Sequence, residues 1–514
     1  MPAERSSGAA GSVVLKRNIL ATYASQAYGA AIGIVLVPLY LHYLGAEAYG
    51  LVAFFAMLQG WFLLLDLGLT QTMGREAARF QGGGTSGTQL RGLLRFLEIL
   101  FCGLAVLAAV AVLLGSQTIA NSWLRAEHLP TADIRRVVEL MGLTLLLRVF
   151  GDLYRGVIAG FESMVWLAGA GALFASARFV LVIPWLVWVR SSVIDFFVFQ
   201  LAIGVLENVA LAAKAYRLLP PSTSPGGANW RPGRHVIGFS LSMSLATIIW
   251  VCVAQTDKLL LSGLLSLAGY GWFNLAVAAA SAVTLLTGPI IAALMPRLTA
   301  LQAQGNECAS LALYRKATQW VGLLAWSAAA VLSVQAELVL WIWTGDEQAA
   351  VQSAEALRLY AIGNAILAAA AFPYYLQFAR GHLRLHLVGT GLFVAALVPS
   401  LVWVAPRYGG TGAGWVWLAV NAAYLALWVP VAHRHHAPGL HVRWLMQDVA
   451  PIAVLAVGAA LASQWLPWPA HRGLAALELL GVGVWALLAA ACGSSWARSA
   501  LCRACWPRRL HSQS

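Results

Sequence analysis

The sequence predicts an all-α polytopic membrane protein of about fourteen transmembrane helices, arranged as two parallel six-helix lobes plus two C-terminal helices. Three observations carry this reading. The 514 residues are 60% hydrophobic and only 10% charged, with mean hydropathy +0.74, whereas a soluble globular chain carries about 25% charge. The apolar residues are gathered into runs of roughly 20, the length that crosses a bilayer as a helix. Basic residues alternate between rich and poor in successive connections, as the sidedness of a membrane protein requires.

Spans 1–6 fall near residues 18–42, 48–70, 92–114, 137–159, 164–189 and 194–213. Short connections such as Gly45-Ala-Glu47 join neighbours as antiparallel hairpins. The Pro/Gly/Ser-rich stretch within 218–235 reads as a flexible joint. It separates an N-terminal lobe, 1–217, from a C-terminal lobe, 236–437, with spans near 236–258, 268–293, 318–341, 355–378, 385–405 and 412–432. Tyr408-Gly409-Gly410-Thr411 separates the last two of these. Spans 13 and 14, near 446–466 and 474–492, lie within 438–495, and 496–514 is a basic tail. Pro184, Pro289 and Pro373 are expected to bend or interrupt their helices.

With the N-terminus in the cytoplasm, inside segments carry about three times as many Lys and Arg as outside ones. Both termini are then cytoplasmic. The net charge of +13 is spread between apolar runs rather than gathered on one soluble face, which argues against nucleic acid. Residues 1–17 are polar, end in Lys16-Arg17 and precede a spanning-length run, so no cleavable signal peptide is expected. Cys502 and Cys505 lack a second ligand pair at zinc spacing, and no metal site is expected.

The two lobes share landmarks. Tyr49-Gly50 opens span 2 and Tyr270-Gly271 opens span 8, while Met73-Gly-Arg75 parallels Met295-Pro-Arg297, all at an offset of about 221 residues. Six spans per repeat preserve direction through the membrane, so the repeat is parallel.

Charged residues within spans are the leads to function, because an ionised group in hydrocarbon costs about 3 kcal/mol or more. Arg148, Asp152 and Arg155 lie on one face of span 4, where Arg148 can pair with Asp152 and Asp152 with Arg155. Arg178 sits in span 5 beside small residues that allow close helix approach. These four either line a cationic, substrate-binding cavity or form a structural network. Arg358 in span 10 is the matching candidate in the second lobe. Asp66, with Arg75 available as a partner, either caps a break at the inner end of span 2 or forms a gate contact. Asp257-Lys258 in span 7 either anchors its helix or gates. Glu98 and Glu207 are lone acids that could serve ion coupling. There is no nucleophile–base pair, and the glycines of 82–87 follow no strand, so no catalytic site is expected.

The fourteen spans in two parallel halves, Asp66-Leu-Gly-Leu with Arg75-Glu76, and Gln255-Thr-Asp-Lys258 before Gly269-Tyr-Gly271 resemble the polysaccharide-biosynthesis flippases. These are O-antigen or exopolysaccharide repeat-unit translocases of the multidrug/oligosaccharidyl-lipid/polysaccharide exporter superfamily. The resemblance covers roughly residues 14–492. It implies a bacterial inner-membrane flippase for a polyprenyl-diphosphate-linked oligosaccharide, working from the cytoplasmic to the periplasmic leaflet by alternating access. It implies cationic cavity residues on the diphosphate, which Arg148, Arg155 and Arg178 suit. It also implies proton or sodium gradient coupling rather than a cofactor, a polymerase and a chain-length regulator as partners, and function as a monomer. A peptidoglycan-precursor flippase shares this logic. A cation-coupled drug or metabolite antiporter of the same fold would commonly carry an acid in span 1, and Leu20 through Tyr43 has none. A membrane-bound glycosyltransferase or polymerase would want a large or acidic outer loop, and the outer loops are short.

Overall fold

A computed structural model describes residues 17–495 apart from 19, 23, 30, 67, 189–191 and 221–232, with backbone only over 233–246. The basic tail and most of the 218–235 joint therefore lie outside the described residues. The described residues are helical almost throughout and contain no strand, in keeping with an all-α polytopic fold. Large side chains such as Leu107, Leu114, Trp188 and Leu480 stand outward and exposed along these helices. In water that much contiguous apolar surface would drive aggregation, and in lipid it is the solvated face.

Eleven helices among the described residues are long and apolar enough to cross a membrane, against fourteen spans read from sequence. The difference arises at three places. Span 2 is broken, span 4 carries too many charges, and residues 384–436 run on as one segment through the turn expected at 408–411. Gly409 there has non-helical angles, φ 56° and ψ −140°, which a side chain would strain.

The chain divides into two compact units, 1–271 and 272–514. The first contains α1 (Val37–Leu44), α2 (Ala46–Phe62), α3 (Leu69–Gln81), α4 (Gly87–Thr118), α5 (Thr131–Gly160), α6 (Met164–Phe179), α7 (Val182–Trp188), α8 (Val193–Leu218) and α9 (Gly233–Leu264). α4 starts with a capping box in which Ser86 and Gln89 satisfy each other's backbone N–H groups. Its Leu90, Leu94 and Phe101 meet Met73, Leu153, Val157 and Leu211 in the buried core of this unit. α3 and α5 approach through glycine. A Cβ on Gly156 would lie 2.5 Å from the Thr70 carbonyl oxygen, and one on Gly160 only 2.3 Å from that of Gly74.

The connection between α4 and α5 holds two hairpins of the same unit. The Glu47 carboxylate accepts the backbone N–H groups of Glu127, His128 and Leu129 at 2.8–3.0 Å. Arg125 receives the Leu267 N–H at its carbonyl, 2.8 Å, and Trp123 Nε1 donates to Ser262 Oγ at 2.9 Å. Glu47, Glu127 and His128 come together in a cluster with metal-like spacing. The Glu47 oxygens are already taken up by backbone donors, so the arrangement fits a capped loop rather than a cation site.

The second unit continues from α10 (Leu267–Ala280), which crosses the division, through α11 (Ala282–Ala303), α12 (Glu307–Val334), α13 (Ala336–Thr344), α14 (Glu347–Ala370), α15 (Phe372–Ala379) and α16 (Arg384–Ala423). It ends with α17 (Val429–His436), α18 (Leu440–Trp444), α19 (Ala450–Ala462) and α20 (Arg472–Cys492). Small residues set the spacing of α12, α19 and α20, where Ala330, Ala456, Ala460 and Ala490 share a buried seam with Leu323 and Ile452. Of the three prolines expected to disturb helices, Pro184 and Pro373 fall near the starts of new helices, and Pro289 is inside α11.

Candidate functional site

The site is built where span 2 stops being a regular helix. α2 ends at Phe62, a 3₁₀ turn covers Leu63–Asp66, and Gly68 takes the left-handed conformation at φ 70° before α3 begins. Asp66 Oδ1 accepts the Thr70 N–H at 3.0 Å and the Thr70 hydroxyl, so its carboxylate supplies the acceptor that the restarting helix needs. The break presents Gln59 and Asp66 to α5, which the glycine contacts hold close.

On α5, Arg148 Nη1 donates to Gln59 Oε1 at 2.9 Å. The sequence pairing of Arg148 with Asp152 gives way to this amide contact, and Asp152 instead accepts from Arg155 Nη1 at 2.7 Å. The other nitrogen of Arg155, Nη2, donates to Glu207 Oε1 on α8. Arg178 Nη2 on α6 reaches Glu207 Oε2 at 2.7 Å. One buried carboxylate thus holds two guanidinium groups from two helices. The lone acid Glu207, expected as an ion-coupling candidate, is the keystone of the arginine cluster. Sequence spacing could not show this, since Glu207 lies 52 residues from Arg155 and 29 from Arg178.

Arg148, Arg155, Arg178 and Glu207 line one narrow cleft together with Gln59, Gln200 and Asn208. A neighbouring narrow cleft is lined by Gln59, Asp66, Arg148 and Asp152. Arg148, Arg155 and Arg178 face Asp152 and Glu207, which leaves one net positive charge. Asp66 in the adjoining cleft offsets that charge farther along. The excess resides at Arg148, whose partner is a neutral amide. Asn208 Oδ1 and Arg178 Nε are buried without a hydrogen-bond partner among the described residues, which buried polar atoms rarely tolerate. Sequence reasoning missed Gln59, Gln200 and Asn208. The available signal was a lone amide inside an apolar span.

The remaining candidates lie elsewhere. Glu98 on α4 accepts the hydroxyls of Tyr154 and Tyr216 at 3.0 and 2.8 Å. The Arg75 guanidinium lies 3.6 Å from Glu76. Asp257 is buried, with Lys258 Nζ 3.2 Å away and also donating to the Ala254 carbonyl. On the same helix, Gln255 lies against Gly60, where a Cβ would meet its amide at 2.5 Å. Arg358 belongs to the second unit and pairs with Glu337 at 3.0 Å and Glu355 at 3.2 Å.

Comparison with known proteins gives the family. The model of the polysaccharide biosynthesis protein family matches residues 15–302, more than half of the chain. No curated protein sequence matches. Among solved structures, the chain is similar to the lipid II flippase MurJ in an inward closed conformation. The TM-score is 0.68 at 11% identity, covering 94% of this chain and 99% of that one. An inward-facing multidrug-resistance MATE transporter of the MOP superfamily gives 0.62 at 16% identity, covering 80% and 96%. A MOP superfamily transporter from Pyrococcus furiosus gives 0.54 at 17% identity, covering 84% and 96%. At such identities the likeness is one of fold. The chain belongs to the polysaccharide biosynthesis protein family, and its fold is that of the MOP-type flippases and transporters.

Proposed function

We propose that the protein is a flippase that moves a polyprenyl-diphosphate-linked oligosaccharide from the cytoplasmic to the periplasmic leaflet of a bacterial inner membrane, with both termini cytoplasmic. The observation that carries this reading is Arg148, a cation held among the described residues only by the neutral Gln59, on a cleft whose other arginines are neutralised and fixed. A diphosphate can displace the amide and gain a charge-assisted, forked contact, at little cost to the network behind it. Arg155 and Arg178 stay tied to Glu207 and hold the wall of the cleft in place behind Arg148. Asn208 Oδ1, without a partner among the described residues, offers a neutral acceptor suited to a hydroxyl. Family membership supports a polysaccharide precursor as cargo.

No bond in the substrate needs to change. Transport requires only that the site open alternately to each side, through rocking of the two lobes. Asp66, Arg75, Asp257 and Lys258 are the proposed gate or interface residues. Either a proton or a sodium gradient is the proposed drive, with Glu98 the remaining acid to test. Function as a monomer, alongside a polymerase and a chain-length regulator, completes the proposal. A peptidoglycan precursor is the second reading, favoured by the likeness to the MurJ fold.

Deleting the gene and identifying the lipid-linked glycan that accumulates on the cytoplasmic leaflet separates the two. A pathway-specific repeat unit supports the first reading, and an accumulated cell-wall precursor supports the second. If neither accumulates, both fall.

A further inference from the structure

α20 buries Ala475, Val482, Ala486 and Ala490 against the second unit. Its opposite face is exposed and carries Leu477, Leu480, Val484, Trp485 and Leu488. On that apolar face stands Glu478, the only charged residue between Arg472 and the end of the helix. Among the described residues it is exposed and has no hydrogen-bond or ion-pair partner.

Its depth makes this costly. At about 1.5 Å per residue, α20 is about 31 Å long and Glu478 lies about 9 Å in from Arg472. With Arg472 taken as the edge of a hydrocarbon core about 30 Å thick and the helix upright, that is more than half of the way to the midplane. A carboxylate facing lipid at that depth calls for a donor from another molecule.

The surroundings fit a helix as that molecule. Gly481, one turn on, has open space where a Cβ would project. A missing side chain there lets a neighbouring backbone come close. Glu478, Gly481 and Trp485 wall an open groove, with Ala462, Leu466 and Pro467 from the end of α19 and the turn after it.

We infer that this face of α20 is a docking surface for a transmembrane helix of another membrane protein, one that carries a lysine or arginine about two turns from its end. Charge selects this occupant. A second copy related by a two-fold axis would bring Glu478 against Glu478, opposing like charges in hydrocarbon. A lipid amine sits in the headgroup layer, above the depth of the carboxylate. The inference is independent of the transported substrate.

The test uses the full-length protein, labelled and reconstituted in phosphatidylcholine vesicles. The probe is a labelled 21-residue Leu/Ala peptide with one lysine two turns from an end. A second peptide has leucine in its place. Energy transfer should show the lysine peptide binding about tenfold more tightly, the scale of one interhelical polar contact. Glu478→Gln and Gly481→Leu should each remove that preference. Both positions face lipid, so the thermal stability and glycolipid transport of each variant should match those of the parent. Equal binding of the two peptides would overturn the inference, as would a lysine preference that survives Glu478→Gln. Transfer between two labelled copies of the protein, lost in the same variants, would assign the face to self-association instead. Loss of the preference when phosphatidylethanolamine replaces phosphatidylcholine would assign it to a lipid amine.

Discussion

Each unit contains a polar network among its helices, and the two are balanced differently. In the second unit, Arg315 donates to both oxygens of Asp448 at 2.6 and 3.1 Å, and Gln319 reaches the same carboxylate at 2.6 Å. Gln319 also bonds Ser495. Asp448 is fully buried, and one cation meets one anion. In the first unit, Glu207 is shared by two arginines, Asp152 is held by one of them, and Arg148 rests on an amide. A matched network ties α12 to the start of α19 and leaves nothing over. An unmatched one is pre-formed yet keeps a cation for an incoming anion. Charge matching, more than burial, separates a structural network from a candidate binding site.

The most damaging substitution falls on the matched side. Asp448→Asn leaves Arg315 without its carboxylate and should cost about 3–5 kcal/mol, read as a fall in thermal stability and in membrane abundance. Arg148→Ala, on the unmatched side, should lower transport about 100-fold, the scale of losing one charge-assisted contact to a bound diphosphate. Its stability should change by no more than about 1 kcal/mol, since only an amide loses its partner. Equal damage to stability and transport would erase the distinction between the networks. Arg148→Lys sharpens it, because retained transport would favour positive potential over forked recognition.

Gly156→Ala tests whether the close approach of α3 and α5 positions the unmatched cluster. Its methyl would meet the Thr70 carbonyl, and the strain should cost about 1–3 kcal/mol while transport falls with it. The smallest effect is at Glu47. Burial raises its pKa, but hydrogen bonds from the backbone of residues 127–129 and from the His128 side chain outweigh this and hold it below the ordinary value. A depressed folded pKa gives stability that is present above the unfolded value, about 4.3, and is lost as the pH falls through the folded one. Melting the protein from pH 7 downward should show this loss, and Glu47→Gln should flatten it.

Much of this molecule was legible from residue order. Apolar run length gave the helices, because lipid forces the backbone to satisfy its own hydrogen bonds. The break in helical angles at Gly409, within the expected connection, and Arg148 and Arg155 on one helix follow from local pattern. The partners did not. Arg148 chose Gln59, 89 residues away, over Asp152 four residues on, because the break after Phe62 and the glycines of α3 and α5 bring span 2 close. Glu207 passed from lone acid to keystone for the same reason. Residue order is enough to place the helices and the charges within them, since both depend on near neighbours and on transfer from water to lipid. Which charges cancel and which one remains is settled by helix packing, since that depends on distances between helices far apart in the chain.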